Sequence, residues 1–461
     1  MWGWVVAMVF DPASATDFTY REMTWFSDRF QAVFRFELSG PTMATESFTE
    51  TIQFTPTQAA DNLDDARLES LLTLLGAVLS TSYYKAAAPK RYVIDVPGVT
   101  DAAVDYLRLV LRDGLAEFAY RNGFMSPIEP EIVLTQPVAS AWPEDNWLAI
   151  SGDPLVPIGG GKDSVVSVEI LQRQRLHPIQ FAVNANPIIH KVARVSGHPL
   201  ITARRTIDPH LLELNKQGAL NGHIPVTAIN SLIALIQARI LRLGPVVMSN
   251  EASASEATVS WGDMAVNHQW SKSLDAELAL QAVIGPQAGL DPDHYFSLLR
   301  PFSELRIAGI FANLPRYHHV ATSCNRAFTM DAENLGWCGE CDKCRFIYLV
   351  LSAYLSPAAL RAIFGHDLLD DEAHIPGFEA LLGLDHHKPF ECVGSEAEST
   401  VALSFAARRV DWASHAVVKH FLDTIPQLAA PHPDLEKPVF DTHASSRHIP
   451  EQYQQAQRAL A

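Results

Sequence analysis

The sequence has little positive charge for its length. Its 461 residues include 35 Lys and Arg against 52 Asp and Glu, which gives a formal net charge of -17. Such a field repels a phosphate backbone, so nucleic acid is not the expected partner.

Long hydrophobic runs and a targeting segment are also missing. Outside the N-terminus the longest apolar run, residues 346–355, falls well short of the ~20 residues that a membrane span needs and predicts a buried helix. The apolar start, residues 1–10, has no basic stretch and no small-residue cleavage site, which argues against a secretory signal. We therefore expect a cytoplasmic protein with no membrane partner. The sequence has no internal repeat and no low-complexity tract.

The chain is long enough, and at 48% hydrophobic content apolar enough, to bury a sizeable core in two to four structural units. Residues 31–38 and 47–54 alternate in hydrophobicity and predict a hairpin. Leucine spacing predicts a helix after Asp61, and a second helix after Thr100 that ends at Gly123. With a strand at 92–96, residues 1–135 form an expected α+β unit without a recognisable catalytic motif.

Beyond a proline-containing boundary at residues 136–153, the pattern changes to alternating strands and helices. A short strand, a glycine turn, a helix and a strand at 179–183 form a β-α-β unit, and a helix over 227–243, closed by Gly244, precedes a strand at 246–249. The expected fold class is α/β, a parallel sheet with helices on both faces, over residues 136–360. Residues 361–461 predict a mostly helical C-terminal region.

A polar stretch over residues 250–272 is too long for a simple connector. Loops of this length are usually functional or disordered, and its aromatic residues, Trp261 and Trp270, argue against disorder.

The main candidate site is the loop Gly159-Gly160-Gly161-Lys162-Asp163-Ser164. Three glycines at a strand end let consecutive N–H groups approach phosphate oxygens, and the following helix N-terminus adds the positive end of its dipole. Lys162 would supply a mobile positive charge. A Walker loop is excluded because Asp163 follows Gly-Lys, and the dinucleotide fingerprint fails because Ser164 replaces its third glycine. The alternative is a glycine turn that only links strand to helix.

Four of the five cysteines form a second candidate site. Cys324, Cys338, Cys341 and Cys344 lie within 21 positions, three of them in the run Trp337-Cys-Gly-Glu-Cys-Asp-Lys-Cys-Arg345. Two-residue spacers let thiolates converge on one tetrahedral ion, so a structural zinc site is expected. A redox Cys-x-x-Cys pair and an iron–sulfur cluster are the alternatives. Cys392 lies apart and is interpreted as a buried or pocket residue.

The glycine loop resembles that of the ATP pyrophosphatase superfamily, the PP-loop or N-type ATPases, whose signature is Ser-Gly-Gly-x-Asp-Ser. Gly160, Gly161, Asp163 and Ser164 match it, and Gly159 replaces the first serine. The resemblance implies ATP binding by residues 159–164, cleavage to AMP and pyrophosphate, transfer of AMP to an oxygen of the substrate, and Mg²⁺ on the phosphates.

Further segments resemble the bacterial UDP-N-acetylmuramoyl-L-alanyl-L-glutamate epimerase family over most of the chain. They are Ser249-Asn-Glu-Ala-Ser253, Val266-Asn-His-Gln-Trp-Ser-Lys272 and Cys338-Gly-Glu-Cys-Asp-Lys-Cys344. The resemblance implies that the terminal L-glutamate of the UDP-muramoyl dipeptide is inverted for peptidoglycan synthesis, in bacteria whose muramoyl ligase adds L-glutamate. Lys162 and Asp163 would act on ATP.

Candidates for the proton transfer are expected near the carboxyl ends of the strands. We select Glu251, His268 and Lys272, although a cap, a hydrogen-bonded core histidine and a solvated lysine would explain them as well. His223 and the segment His386-His387-Lys388 have weaker claims. Asn184 and Asn186 either contact adenosine or only end their strand.

Other functions remain open. A 7-cyano-7-deazaguanine synthase or a tRNA-modifying adenylating enzyme would use the same loop and cysteine-bound metal, but the long N-terminal unit and the acidic charge argue against them. An ATP-binding regulatory module would need the loop without releasing AMP.

Overall fold

The computed structural model describes residues 10–57, 65–262, 264–328, 336–384, 389, 391–441, 446 and 448–458. The strands are β1 Asp17–Phe26, β2 Gln31–Ser39, β3 Glu46–Gln53, β4 Arg91–Ile94, β5 Glu131–Leu134, β6 Leu155–Pro157, β7 Ile179–Val183, β8 Leu200–Thr206, β9 Val246–Met248, β10 Val259–Trp261, β11 Met264–Val266 and β12 Tyr295–Ser297.

The helices cover the rest of the regular structure. They are α1 Ala66–Leu79, α2 Thr81–Tyr84, α3 Asp101–Arg112, α4 Ala116–Arg121, α5 Lys162–Arg173, α6 Pro187–Ser196, α7 Pro209–Lys216, α8 Val226–Leu241, α9 Leu274–Ala288, α10 Glu304–Ala312, α11 Asp342–Ser352, α12 Pro357–Phe364, α13 Ile375–Leu381, α14 Glu396–Ala407, α15 Ala416–Thr424, α16 Pro433–Phe440 and α17 Glu451–Arg458.

Ten of these strands form one mixed sheet, in the order β12-β9-β6-β7-β8-β3-β2-β1-β4-β5. The five strands from β12 to β8 are parallel, β8 pairs antiparallel with β3, and the predicted hairpin β2–β3 is present. Strand β3 therefore joins the N-terminal strands to the parallel sheet. The domain boundaries at residues 135 and 360 stay predictions.

Both faces of the parallel strands are buried, as expected for an α/β sheet. Consecutive residues of β9, Val246 and Val247, are fully buried in two different hydrophobic clusters. One cluster includes residues of α1, α8 and α9, whereas the other includes residues of α5, α6 and α10. The packing agrees with the predicted α/β class and with helices on both faces of the parallel strands, but the sheet as a whole is mixed rather than parallel, because the antiparallel N-terminal strands extend it at β8.

One predicted helix is divided, and the predicted end of another is wrong. The helix after Thr100 ends at Arg112 and a second helix, α4, follows it; α4 ends at Arg121, just before the predicted stop Gly123, which has φ +71°. Helix α8 ends at Leu241 with Arg242 in the left-handed conformation, not at Gly244. Gly244 instead allows a close backbone approach, since a Cβ there would lie 2.3 Å from the Gly152 carbonyl oxygen.

The apolar run at 346–355 lies largely in α11, whose side chains are buried as predicted. Among the described residues, no helix combines the length and apolar character that a membrane crossing requires. Helices dominate the described part of the C-terminal region, in agreement with the sequence pattern.

Candidate active site and cysteine cluster

The glycine loop lies at the carboxyl end of the parallel sheet. It connects β6 to α5, and β6 has β7 on one side and β9 on the other. From β6 the chain proceeds to β7 and β8, and later returns on the opposite side to form β9 and β12. This reversal of strand order opens a crevice of the kind in which α/β proteins bind ligands. Glu251 follows β9 and Glu304 follows β12, so both reach the same crevice.

Each of the three glycines lies in a different local environment. Gly160 has φ +85°, and a Cβ there would lie 2.8 Å from Ile188 Cγ2. Gly161 packs against Ser323, whereas a Cβ on Gly159 would meet no atom within 4 Å. Helix α5 begins after Gly161 without a side-chain cap. Gly159 therefore borders open space beside a helix N-terminus suited to an anion.

The charged residues of the loop take part in a buried ion cluster. Lys162 is only 4% exposed and its ammonium forms ion pairs with Asp163 and Glu304. Burial alone would lower the pKa of Lys162, but the two carboxylates raise it above its usual value. Lys343 Nζ lies 3.6 Å from the other Glu304 oxygen. Lys162 is thus held in place rather than mobile, contrary to the sequence-based expectation, because burial requires a partner for its charge. The buried Ser164 hydroxyl donates to the Gly161 carbonyl at 3.3 Å.

Glu251 is a buried carboxyl beside this cluster. Its backbone carbonyl accepts a hydrogen bond of 2.7 Å from Arg300, whose guanidinium also pairs with the buried Glu277. Burial, followed by repulsion from Glu304 and Asp163, raises the pKa of the Glu251 carboxyl to about 7. A carboxyl that gains and loses a proton near neutrality is suited to acid–base chemistry.

Lys272 connects Glu251 to a second group of polar side chains. Its ammonium attracts Glu251 and donates to Cys392 Sγ at 3.3 Å. Cys392 also hydrogen-bonds His268, whose Nδ1 lies 2.5 Å from Glu117 Oε2. The second oxygen of Glu117 accepts from Arg121 Nε at 2.6 Å. Side chains from α4, the 250–272 loop and the C-terminal region therefore form one continuous chain of contacts.

This arrangement favours a negative charge on the Cys392 sulfur and a positive charge on the His268 imidazole. Although burial opposes it, Lys272 and then His268 lower the pKa of the Cys392 thiol to about 6. Burial also opposes the His268 cation, but Cys392 and Glu117 raise its pKa to about 9. His223, whose ring centroid lies 4.8 Å from that of His268, has a pKa lowered to about 4 by burial and by its cationic neighbour.

Glu117, His223 and His268 offer ligand atoms within 4.8 Å of one another. The 2.5 Å separation of His268 Nδ1 from Glu117 Oε2 is that of a strong hydrogen bond. Two such ligands on one zinc ion would lie about 3.4 Å apart, given metal–ligand bonds of about 2.1 Å. A proton, rather than a metal ion, fits between them.

The four clustered cysteines do meet in space. Three of their Sγ separations are 4.0, 3.7 and 3.5 Å, and all four sulfurs lie within 4.8 Å. A tetrahedral ion with bonds of about 2.3 Å would place its sulfurs about 3.8 Å apart, whereas a disulfide requires about 2.05 Å. The sulfur positions match four ligands of one metal ion, and the convergence of all four favours a metal site over a redox pair, which needs only two cysteines.

The cysteine cluster is attached directly to the glycine loop. Thr322 N donates to the Gly160 carbonyl at 3.0 Å, and the Thr322 hydroxyl accepts from Cys324 N at 3.2 Å. Lys343, which lies between Cys341 and Cys344, reaches Glu304 in the crevice. A metal ion held by the cysteines would therefore fix both the loop and one of the lysines.

The structure brings Lys162, Asp163, Glu251, His268 and Lys272 to one crevice. Sequence reasoning did not select Glu117, Glu304 or Lys343, and it gave Cys392 only as a buried or pocket residue. One available signal was Glu117, a charged residue among the apolar positions of its helix. Asn184 and Asn186 have structural roles: Asn184 bonds the Arg205 backbone, and Asn186 caps α6. The segment 386–388 lies outside the described residues.

Comparisons with known proteins identify the family of the chain. Residues 9–298 match the family model for the MurL N-terminal domain, and residues 320–436 match that for the MurL C-terminal domain. Three relatives carry the name UDP-N-acetyl-alpha-D-muramoyl-L-alanyl-L-glutamate epimerase. They are those of a Micromonospora species (46% identity; 87% of this chain and 88% of the relative), Salinispora tropica (44%; 89% and 89%) and Xanthomonas oryzae pv. oryzae (40%; 78% and 80%). The chain therefore belongs to the UDP-N-acetyl-alpha-D-muramoyl-L-alanyl-L-glutamate epimerase family.

Proposed function

We propose that this enzyme inverts the terminal L-glutamate of UDP-N-acetylmuramoyl-L-alanyl-L-glutamate, using ATP to activate the glutamate carboxylate as an acyl-adenylate. The observation that supports this most directly is Glu251, a buried carboxyl with a pKa near 7, placed across the crevice from a glycine loop suited to phosphate. One side of the crevice would then bind the nucleotide, and the other would move the proton.

The nucleotide side consists of residues 159–164. Backbone N–H groups of the loop and the N-terminus of α5 are suited to the phosphates of ATP. Asp163, whose side chain is 26% exposed, would hold Mg²⁺, which neutralises phosphate charge during adenylation. The arriving phosphates would compete with Asp163 and Glu304 for the ammonium of Lys162, so the buried ion cluster serves as a preformed counter-ion site. These features support the placement in the PP-loop superfamily and the cleavage of ATP to AMP and pyrophosphate.

Activation has a chemical purpose in an epimerase. The negative charge of a free carboxylate makes its α-proton difficult to remove, whereas an acyl-adenylate can accept the developing enolate charge. Glu251 is placed to exchange a proton with the α-carbon, and Lys272 would stabilise the negative charge nearby. After inversion, water would hydrolyse the adenylate to release AMP and the D-glutamate product.

We further propose that the cysteine cluster holds a structural Zn²⁺, since four thiolates leave no open position for chemistry. The nucleotide-linked substrate and ATP favour a cytoplasmic enzyme of peptidoglycan precursor synthesis, which acts after a ligase that adds L-glutamate. Family membership favours this function over the deazaguanine synthase, the tRNA-modifying enzyme and the regulatory module.

The test is a reaction of the purified protein with the UDP-muramoyl dipeptide, ATP and Mg²⁺. We expect AMP and pyrophosphate in solution, and D-glutamate after acid hydrolysis of the product. Formation of ADP, or inversion that proceeds without ATP, would contradict the proposal.

A further inference from the structure

Inversion of a carbon centre removes a proton from one face and returns a proton to the opposite face, which two groups on opposite sides of the substrate can carry out without reorientation. Glu251 supplies one. Three other groups contact one another beside it: the Cys392 thiol, the His268 imidazole and the Glu117 carboxylate. The proposed function uses none of these three, although Glu117 is buried, His268 and Cys392 are partly buried, and all three can carry a proton or a charge.

The three groups have the connectivity of an activated thiol. Lys272 donates to Cys392 Sγ at 3.3 Å, and His268 hydrogen-bonds the same sulfur. The imidazole is oriented by Glu117, which lies 2.5 Å from its Nδ1. Glu117 is only 5% exposed and Arg121 holds its second oxygen, so the carboxylate has little freedom to turn. Two cations against one sulfur favour a thiolate.

We propose that Cys392 is the second proton-transfer group, held by Lys272 and His268, with Glu117 as a residue that positions His268. The proposal rests on the proposed epimerase function. It assigns a role to the N-terminal unit, since Glu117 lies on α4, and to the C-terminal region, which provides Cys392.

The resting protonation states assign a direction. The lowered pKa of the Cys392 thiol, about 6, favours a thiolate at neutral pH, and the raised pKa of Glu251, about 7, favours a carboxyl that is partly protonated there. The thiolate takes the α-proton of the activated L-glutamyl group and becomes a thiol. The Glu251 carboxyl returns its proton to the opposite face of the α-carbon and becomes a carboxylate. Exchange with solvent then restores both groups, and no oxidant or reductant is involved.

Crossed exchange in D₂O tests this assignment. The wild type and the variants Cys392→Ser and Glu251→Gln are each given ATP and either the L- or the D-epimer of the dipeptide. In Cys392→Ser, we expect Glu251 to exchange the α-proton of the D-epimer without inversion, while exchange of the L-epimer falls at least about 100-fold. Glu251→Gln should show the opposite preference. Both variants should keep ATP–pyrophosphate exchange, which confirms folding and adenylation.

Two other results would overturn the role of Cys392. Loss of exchange from both epimers in Cys392→Ser, together with a thioester at Cys392 of the wild type detected by mass spectrometry, would make the thiol a nucleophile instead. Wild-type exchange of both epimers by Cys392→Ser would remove it from the reaction. If the wild type itself neither exchanges nor releases AMP, the proposed function fails, and the role of Cys392 fails with it.

The positioning role of Glu117 has an independent readout. Alkylation of Cys392 by iodoacetamide, followed on its own peptide by mass spectrometry, reports how much of the sulfur is thiolate. We expect Glu117→Gln and His268→Asn to slow this alkylation several-fold, with the melting temperature nearly unchanged. An unchanged rate in both variants would refute the relay.

Discussion

Glu251→Gln should stabilise the protein while it destroys epimerisation. The pKa of the Glu251 carboxyl is about 7, against an ordinary 4.5, because the fold disfavours its charged form. Glutamine has nearly the same shape and stays neutral. Because the pKa is raised on folding, the neutral form of Glu251 favours the folded state. The contribution of Glu251 to the free energy of unfolding is therefore highest below pH 4.5 and is lost as the pH rises from 4.5 through about 7.

The size of the effect follows from that pKa. A pKa difference of one between the folded and unfolded states corresponds to about 1.36 kcal/mol. Above pH 7 the Glu251 carboxylate therefore lowers the free energy of unfolding by about 3 kcal/mol relative to glutamine. For a chain of 461 residues this corresponds to a melting midpoint about 3 °C higher in the variant at pH 8. Near pH 5 the melting midpoints of the two proteins should differ by well under half as much, because most Glu251 side chains in the folded protein are still protonated at that pH.

Scanning calorimetry at pH 5, 6, 7 and 8 measures this directly. Glu277→Gln is the matched control, because burial opposes the Glu277 charge but Arg300 and His448 together outweigh burial and lower the pKa of that carboxyl. That variant should be less stable than the wild type at pH 8. A Glu251→Gln midpoint that differs from the wild type equally at all four pH values would refute the reasoning, as would epimerisation within tenfold of normal.

Two further predictions concern the metal and the glycine loop. Elemental analysis should find one zinc ion per chain. Cys338→Ser should lower both the zinc content and the melting temperature, since zinc binding contributes about 10 kcal/mol of folding free energy in zinc-finger peptides. A metal-free protein with full activity would contradict this prediction. Gly160→Ala should cost about 1–3 kcal/mol of stability because of its positive φ and its contact with Ile188. Gly159→Ala should have the melting temperature of the wild type, but its new methyl group should occupy the open side of the loop and raise the KM for ATP about tenfold. An unchanged KM would indicate that the phosphates of ATP bind elsewhere.

The local elements of the fold follow from the sequence because hydrophobic spacing reports secondary structure. Strand β7 lies at residues 179–183, as predicted, and the helix after the glycine loop begins at Lys162. The pairing of β3 with β8 could not be predicted, because the period of a strand says which faces are buried and nothing about its neighbour.

The candidate site was predictable only where its residues form a local pattern. The glycine loop and three of the cysteines lie in short runs, so their chemistry is visible in the sequence. Glu117, Glu304 and Cys392 are separated by up to 275 positions and are brought together by topology alone. Lys343 was inside the cysteine motif, yet nothing in the spacing of metal ligands indicates that its side chain extends to Glu304.

The coupling of proton exchange to ATP cleavage is the most direct test of the account. The wild type is incubated with the UDP-muramoyl dipeptide in D₂O, with and without ATP and Mg²⁺, and a substrate whose terminal α-carboxylate is amidated serves as the control. We expect deuterium at the glutamate α-carbon, together with AMP, only when ATP and a free α-carboxylate are both present. Deuterium that enters without ATP would contradict activation by adenylation, and D-glutamate that forms without solvent deuterium would contradict inversion by proton exchange with solvent.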